Sequence, residues 1–142
     1  MSKSNSIPAA EGLFTETADG PRLVGSRCAT CGSAYFPRAQ ACHNPECERT
    51  DMRDANFGPR GRLASVTIQG YPPPAPVVWS DPYTPYAVGL VDLEDEALRV
   101  IGRLRVDDPE NIEVGGEVEL VLASLGHDDE GRDVISWQFQ LV

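Results

Sequence analysis

Apolar residues recur at every second position in several runs after residue 58, as in strands that bury one face. One run, 98–106, alternates three arginines with aliphatic residues, and similar runs cover 64–68, 118–122 and 135–141. The segment 86–93 is almost continuously apolar, which predicts a strand covered on both faces. Turn-rich segments separate the runs, and no helical periodicity competes with them. We predict five strands that form a small barrel or a partly open antiparallel sheet.

The first part of the chain lacks this regularity. Residues 1–12 are short, polar or small, and predict a loosely ordered arm. A turn signal at 19–21 lies between two short extended runs, 13–17 and 22–26, and predicts a hairpin. From residue 27 to residue 57 the chain has too few apolar groups for a core of its own. This segment therefore needs another source of stability, such as a bound metal ion. We expect the metal-bound segment and the barrel to be stabilised separately, each with its own core.

Four cysteines lie in this segment and supply a candidate metal site that could stabilise it. Cys28 and Cys31 form one pair at CxxC spacing, and Cys42 and Cys47 form a second pair with four residues between them. Four thiolates on two turns match tetrahedral zinc, and a site with four protein ligands has no open position for catalysis. We predict one structural zinc per chain; rubredoxin-type iron, disulfides and free thiols are the alternatives. His43 lies inside the second pair, and we favour a solvent-facing histidine over a ligand.

Charge limits the classes of partner. The 142 residues include 22 acidic and 12 basic side chains, and the net charge is -10. Such a balance argues against a broad surface that binds a phosphate backbone, so nucleic acid is a disfavoured partner. No apolar run reaches the roughly 18 residues of a membrane span, and the first residues lack the order of a signal peptide. We therefore expect a cytoplasmic protein with no membrane partner.

Candidate catalytic groups are few. The two histidines are His43 and His127, and His127 lies in an acidic turn typical of solvated loops. No pairing of a nucleophile with a base stands out, so we predict no independent enzyme activity.

A long connection and a set of arginines are the candidate contact sites. The segment 70–85 holds six of the 12 prolines, and loops of this length are usually functional or disordered. The competing interpretation is a proline-stiffened surface loop whose aromatic residues pack back on the barrel. Large aromatic residues with polar tips make good interface anchors, so we assign partner or acyl-CoA contacts to three residues of this segment. They are Tyr71, Trp79 and Tyr83.

Five arginines could share one barrel face and bind a phosphorylated ligand, such as the nucleotide end of a coenzyme. The competing interpretation is an exposed strand face whose arginines pair with nearby acids. The five are Arg60, Arg62, Arg99, Arg103 and Arg105, of which Arg60, Arg62 and Arg103 are our candidate contacts.

The order of these parts resembles a known family. The matching stretches are DGPRLVGSRCATCGSAYFPR, GRLASVTIQG, PYAVGLVDLEDEALRVIGRLR and IEVGGEVELVL. They resemble the rubredoxin-like zinc ribbon plus acyl-CoA-associated OB-fold proteins, or domain of unknown function 35. The resemblance runs from about Asp19 to the C-terminus, and it implies a mostly β chain with a zinc ribbon (19–57) and a five-stranded OB-fold barrel (58–142). We expect residues 1–18 before it to form a flexible N-terminal arm. Many relatives begin with a longer helical hairpin before the ribbon.

The resemblance also implies a function. Members of this family are non-catalytic companions of thiolase-superfamily enzymes, and they help to shape the acyl-CoA channel. We therefore expect a hetero-oligomer with a thiolase-type subunit and a coenzyme A thioester shared with it. A benzoylsuccinyl-CoA thiolase is one member of the set, and acyltransferases and steroid side-chain aldolases are others. A single-stranded nucleic-acid-binding OB protein and an iron-containing electron carrier are the rival classes.

Overall fold

Strands dominate the computed structural model, which describes residues 6–72, 84–106, 108 and 111–142. The strands are β1 (Ser6–Pro8), β2 (Phe14–Thr17), β3 (Gly20–Cys28), β4 (Ala34–Tyr35), β5 (Met52–Phe57), β6 (Arg60–Gln69), β7 (Tyr86–Leu93), β8 (Leu98–Arg105), β9 (Glu117–His127) and β10 (Asp133–Leu141). A 3-10 turn, Glu94–Glu96, connects β7 to β8. Within the described ranges, no helix has the length and apolar character needed to cross a membrane.

The last five strands close into a barrel. Antiparallel pairs join β6 to β7 and β7 to β8, and β8 pairs in parallel with β10. β10 then pairs with β9, and β9 returns to β6. Each barrel strand therefore has a neighbour on both sides, as closure requires. The predicted OB-type barrel is confirmed.

The ribbon sheet is built around β3. The predicted hairpin is present as β2 and β3, which pair from Thr17 and Gly20 outward. β5 pairs with β3 over the range from Leu23 to Cys28, while β4 adds a short pair on the side of β2. The end of β3 thus carries Cys28 to one end of the sheet, and Leu23 lies nearer the barrel.

Part of the predicted loose arm is a strand. β1 pairs in parallel with residues 133–135 of β10, and the Ala9 amide donates to the Ile135 carbonyl at 2.7 Å. β8 pairs with β10 farther along, at residues 138–140. On that side, the backbone N–H and C=O groups at the start of β10 are therefore not paired with β8 and can pair with β1. Three residues are too few to show a periodic pattern, which is why the sequence gives no signal for β1.

Two barrel strands differ from the burial pattern that the sequence predicts. A register shift between Leu63 and Ser65 changes which residues of β6 face inward: Leu63 is buried before it, and Val66 packs against the core after it. Ile68, near the end of the strand, is 39% exposed. In β7 one face is buried, but Val88 and Leu90 on the other face are only half-buried. The apolar run of β7 is therefore covered on one face, where the sequence predicts cover on both.

The ribbon and the barrel share one hydrophobic core. Leu23 and Phe57 belong to the ribbon sheet, yet they lie in the same buried cluster as Val91, Leu104 and Phe139 of the barrel. Gly25 lets the Phe57 ring approach, since a Cβ there would collide with the Tyr35 carbonyl oxygen and lie 2.7 Å from Cε2 of Phe57. The expectation of separate cores is wrong, because Leu23 and Phe57, which pair across β3 and β5, place their side chains in the barrel core.

Trp137 of β10 makes a second contact between the two parts. Its ring packs edge-on against Phe36 at 5.3 Å and lies 6.3 Å from Phe14. The indole N–H donates to the Ile101 carbonyl at 3.0 Å.

We expect Trp137→Phe to lower the free energy of unfolding by about 1–2 kcal/mol, because it keeps an aromatic ring and removes the hydrogen bond. Urea unfolding of the two proteins measures the difference. An unchanged midpoint would contradict a stabilising role for the indole N–H.

Candidate metal centre and barrel surfaces

Two tight turns hold the cysteine pairs. After Cys28, which ends β3, the chain reverses and the Gly32 amide donates to the Cys28 carbonyl at 2.7 Å. Gly32 has φ +83°, a conformation that glycine adopts without strain. In the second turn, the Asn44 side chain accepts from the Glu46 amide, and its carbonyl accepts from the Cys47 amide, both at 3.0 Å.

These turns bring the four sulfur atoms together. The Sγ atoms of Cys28, Cys31, Cys42 and Cys47 lie within 4.8 Å of one another. The distance from Cys28 to Cys47 is 3.7 Å and that from Cys31 to Cys42 is 3.4 Å. Tetrahedral zinc with bonds of about 2.3 Å requires sulfur separations of about 3.8 Å. The donor set and its spacing therefore fit zinc, with all four positions filled by the protein.

The local electrostatics also favour a bound cation. Hydrogen bonds from the Ser33 hydroxyl and amide lower the pKa of Cys31 to about 6. Backbone hydrogen bonds, foremost from Asp51, lower the pKa of Cys28. A backbone hydrogen bond from Arg49 favours the Cys47 thiolate, but burial and the three neighbouring thiols raise its pKa to about 12. Crowded thiolates repel one another, so a divalent cation supplies the charge that lets all of them ionise.

His43 contacts the site through its backbone. Its amide donates to the Tyr35 hydroxyl at 2.8 Å, and that hydroxyl lies 3.5 Å from Cys42 Sγ. The imidazole packs on the Tyr35 ring at 5.3 Å. Tyr35 thus supports the second turn, a contact that the cysteine spacing alone does not predict.

We expect colourless protein with one zinc per chain, since the closed four-thiolate set suits structural zinc. Metal analysis by mass spectrometry, together with a visible spectrum, measures both. Red protein with absorbance in the visible range and one iron per chain would contradict the zinc assignment.

The five arginines do not form one uninterrupted patch. Arg60 pairs with Glu117 at 2.9 Å, and Arg62 lies 3.5 Å from Glu94. Arg99 pairs with Asp92 at 2.6 Å, and this hydrogen-bonded ion pair lowers the pKa of Asp92. The positive charges of these three arginines are therefore paired with acidic side chains.

Arg103 lies farther along β8 in different surroundings. Its guanidinium is 4.0 Å from the centroid of the Tyr86 ring. Both residues line a cleft of about 720 Å³ between β7, β8 and β10, together with Arg105, Asp108, Ser124, Gln138 and Gln140. The sequence does not indicate Tyr86 and Gln138 as site residues, because strand register, and not spacing, brings them to Arg103.

The predicted aromatic contacts fall at the edge of the described structure. Tyr71 is 72% exposed just after β6. Trp79 and Tyr83 lie outside the described residues. The assignment of these three residues to partner or acyl-CoA contacts stays a prediction.

Ser124, His127 and Asp133 come together at the far end of the barrel. The Ser124 hydroxyl and the His127 imidazole both approach Oδ1 of Asp133, at 3.0 and 3.2 Å. A catalytic triad instead places the imidazole between the hydroxyl and the carboxylate. Here the carboxylate of Asp133 lies between the hydroxyl and the imidazole, so the three residues do not have triad geometry. Their contacts connect the ends of β9 and β10 at the turn between them.

Comparison with known proteins identifies both parts of the chain. Residues 18–53 match the family model described as "ChsH2, rubredoxin-like zinc ribbon domain", and residues 56–123 match "ChsH2, C-terminal OB-fold domain". A solved structure titled "Ltp2-ChsH2(DUF35) aldolase" matches with a TM-score of 0.61 and 28% identity, over 84% of each chain.

Two curated relatives match over most of their length. A "DUF35 domain-containing scaffold protein" of Methanothermobacter thermautotrophicus is 36% identical, over 83% of this chain and 84% of the relative. "Benzoylsuccinyl-CoA thiolase subunit BbsA" of Thauera aromatica is 30% identical, over 92% of this chain and 85% of the relative. The chain therefore belongs to the DUF35 family, in which a rubredoxin-like zinc ribbon precedes an OB-fold domain.

Proposed function

We propose that this chain is a non-catalytic accessory subunit of a thiolase-like acyl-CoA enzyme complex. The observation that carries the proposal is the match along most of its length to a protein named as a thiolase subunit. The relatives named scaffold proteins support a role in assembly. The closed cysteine site is consistent with it, because four thiolate ligands leave a metal no position for substrate.

In this proposal the cleft beside Arg103 contributes to the acyl-CoA channel. The Arg103 guanidinium lies over Tyr86, and Gln140 adds an amide group that can bond to a ligand. Gln138 is buried, and its amide nitrogen donates to the Ala123 and Ser124 carbonyls. The guanidinium and the Gln140 amide suit the phosphates and the pantetheine arm of a coenzyme A thioester, although Asp108 also lines the cleft. Arg60 and Arg62, our other candidates for this contact, pair with Glu117 and Glu94.

Purification of the tagged chain from its native cells at moderate salt, followed by mass spectrometry, tests the proposal. We expect a stoichiometric subunit with the thiolase fold, and its substrate would identify the acyl group. A protein recovered alone would contradict the proposal.

The second candidate is an accessory subunit of an aldolase. The match to the Ltp2-ChsH2 aldolase structure favours it over an acyltransferase partner. The same purification separates the candidates by the sequence of the captured subunit. Recovery of single-stranded nucleic acid would support the rival OB class, although the net charge of -10 disfavours it.

A further inference from the structure

The outward face of β7 and β8 carries an apolar centre. Ile101 is 58% exposed in the middle of β8, and it lies opposite Leu90 of β7 in the strand register. Leu90 and Val88 are half-buried on the same face. The other large exposed apolar residues of the described structure lie at strand ends or outside strands. They are Ile68, Tyr71, Val114, Leu141 and Val142.

This face has a defined and rigid shape. Its strands lie in the closed barrel, and the Ile101 carbonyl accepts the Trp137 indole N–H at 3.0 Å. On the opposite side of β8, Gly102 lies directly against the Phe139 ring. A surface that is already ordered loses little conformational entropy on binding.

Charge on β8 indicates the kind of partner. The outward positions of β8 hold Arg99, Ile101, Arg103 and Arg105, with no acid among them, although the chain as a whole carries -10. Arg99 is balanced by Asp92. Arg105 is exposed, and no ion pair within the described part of the chain includes it, although Asp108 lines the same cleft. An acidic partner would be repelled by most of this protein and attracted at the Arg105 end of the face.

We propose that the outward face of β7 and β8, with its apolar centre at Leu90 and Ile101 and its basic end at Arg105, docks the chain onto its catalytic subunit. The matching surface of that subunit is an apolar patch with an acidic rim. This inference rests on the proposed function and adds a defined surface to it. The half-buried apolar face of β7 is then fully covered in the complex, as its continuous apolar sequence predicts.

Ile101→Glu tests the apolar centre, and Val114→Glu is its matched control, because Val114 is 56% exposed and lies outside the strands. The catalytic subunit identified in the purified wild-type complex is prepared alone and titrated with each variant. We expect Ile101→Glu to weaken binding by about tenfold or more and Val114→Glu to change it by less than about twofold. Ile101→Thr, which keeps a β-branched strand residue, replaces the glutamate variant if that variant loses its zinc or its thermal transition.

Arg105→Glu tests the basic end, with Arg105→Lys as the control that keeps the charge. We expect the glutamate variant to bind about tenfold more weakly at low salt, with a smaller deficit at high salt, and the lysine variant to bind nearly as wild type. Equal binding by Ile101→Glu and Val114→Glu would overturn the docking face and leave the accessory function standing. A wild-type chain that captures no thiolase-like or aldolase-like subunit would overturn both.

Discussion

Cys28→Ser is expected to abolish stable metal binding and to unfold the segment between β3 and β5. Cys28 is fully buried at the end of β3, and its sulfur lies 3.7 Å from that of Cys47. A structural zinc site contributes on the order of 10 kcal/mol to the folding of small metal domains. Residues 29–51 have little secondary structure besides β4, so the metal is their main anchor.

Hydrogen exchange resolves where this loss occurs. We expect the amides of Ala29, Gly32 and Cys47 to lose protection in Cys28→Ser, and in wild-type protein treated with a chelator. Amides of β7 and β8 should stay protected from exchange. The thermal unfolding midpoint of the protein should be several degrees lower than that of the zinc-bound wild type. Ala29→Ser, between the first two cysteines and exposed, is the control and should keep its zinc. If the amides of the cysteine turns stay fully protected from exchange without metal, zinc does not stabilise this segment.

Phe57→Ala is expected to destabilise the whole molecule by about 3–5 kcal/mol, which is the usual range for removal of a buried aromatic ring. Phe57 is 1% exposed and lies in the core cluster with Leu63, Val118 and Leu120 of the barrel. Because the ribbon and the barrel share this core, a cavity there affects both parts.

Urea unfolding followed by circular dichroism and by exchange of barrel amides measures this effect. Asn56→Ala, one residue earlier and exposed, is the control and should stay within about 0.5 kcal/mol of wild type. A loss confined to the ribbon amides, with the barrel transition unmoved, would show that the two parts are independent.

The sequence was most informative where local pattern determines structure. Two turns with cysteine pairs are local, so Cys28, Cys31, Cys42 and Cys47 were predictable as a cluster. Alternation along β8 placed Val100 and Leu104 inside and the arginines outside, as the structure has them.

Features that depend on pairing between distant segments were not predictable. Arg60 meets Glu117 across 57 positions because β6 closes the barrel against β9. The register shift after Leu63 changes the face of the following residues without a signal in the alternation. Leu23 and Phe57 are ordinary apolar residues in the ribbon sequence, and only the tertiary fold brings them into the barrel core.

The most direct test of the accessory role is acyl-CoA turnover by separated and recombined subunits. The chain and the catalytic subunit of the purified complex are resolved, assayed alone with the acyl-CoA substrate of that subunit, and then mixed in equal amounts. We expect no turnover by this chain alone, weak or unstable turnover by the catalytic subunit alone, and recovery of turnover on mixing. Turnover by this chain alone, or a catalytic subunit whose rate and stability do not depend on it, would contradict the account.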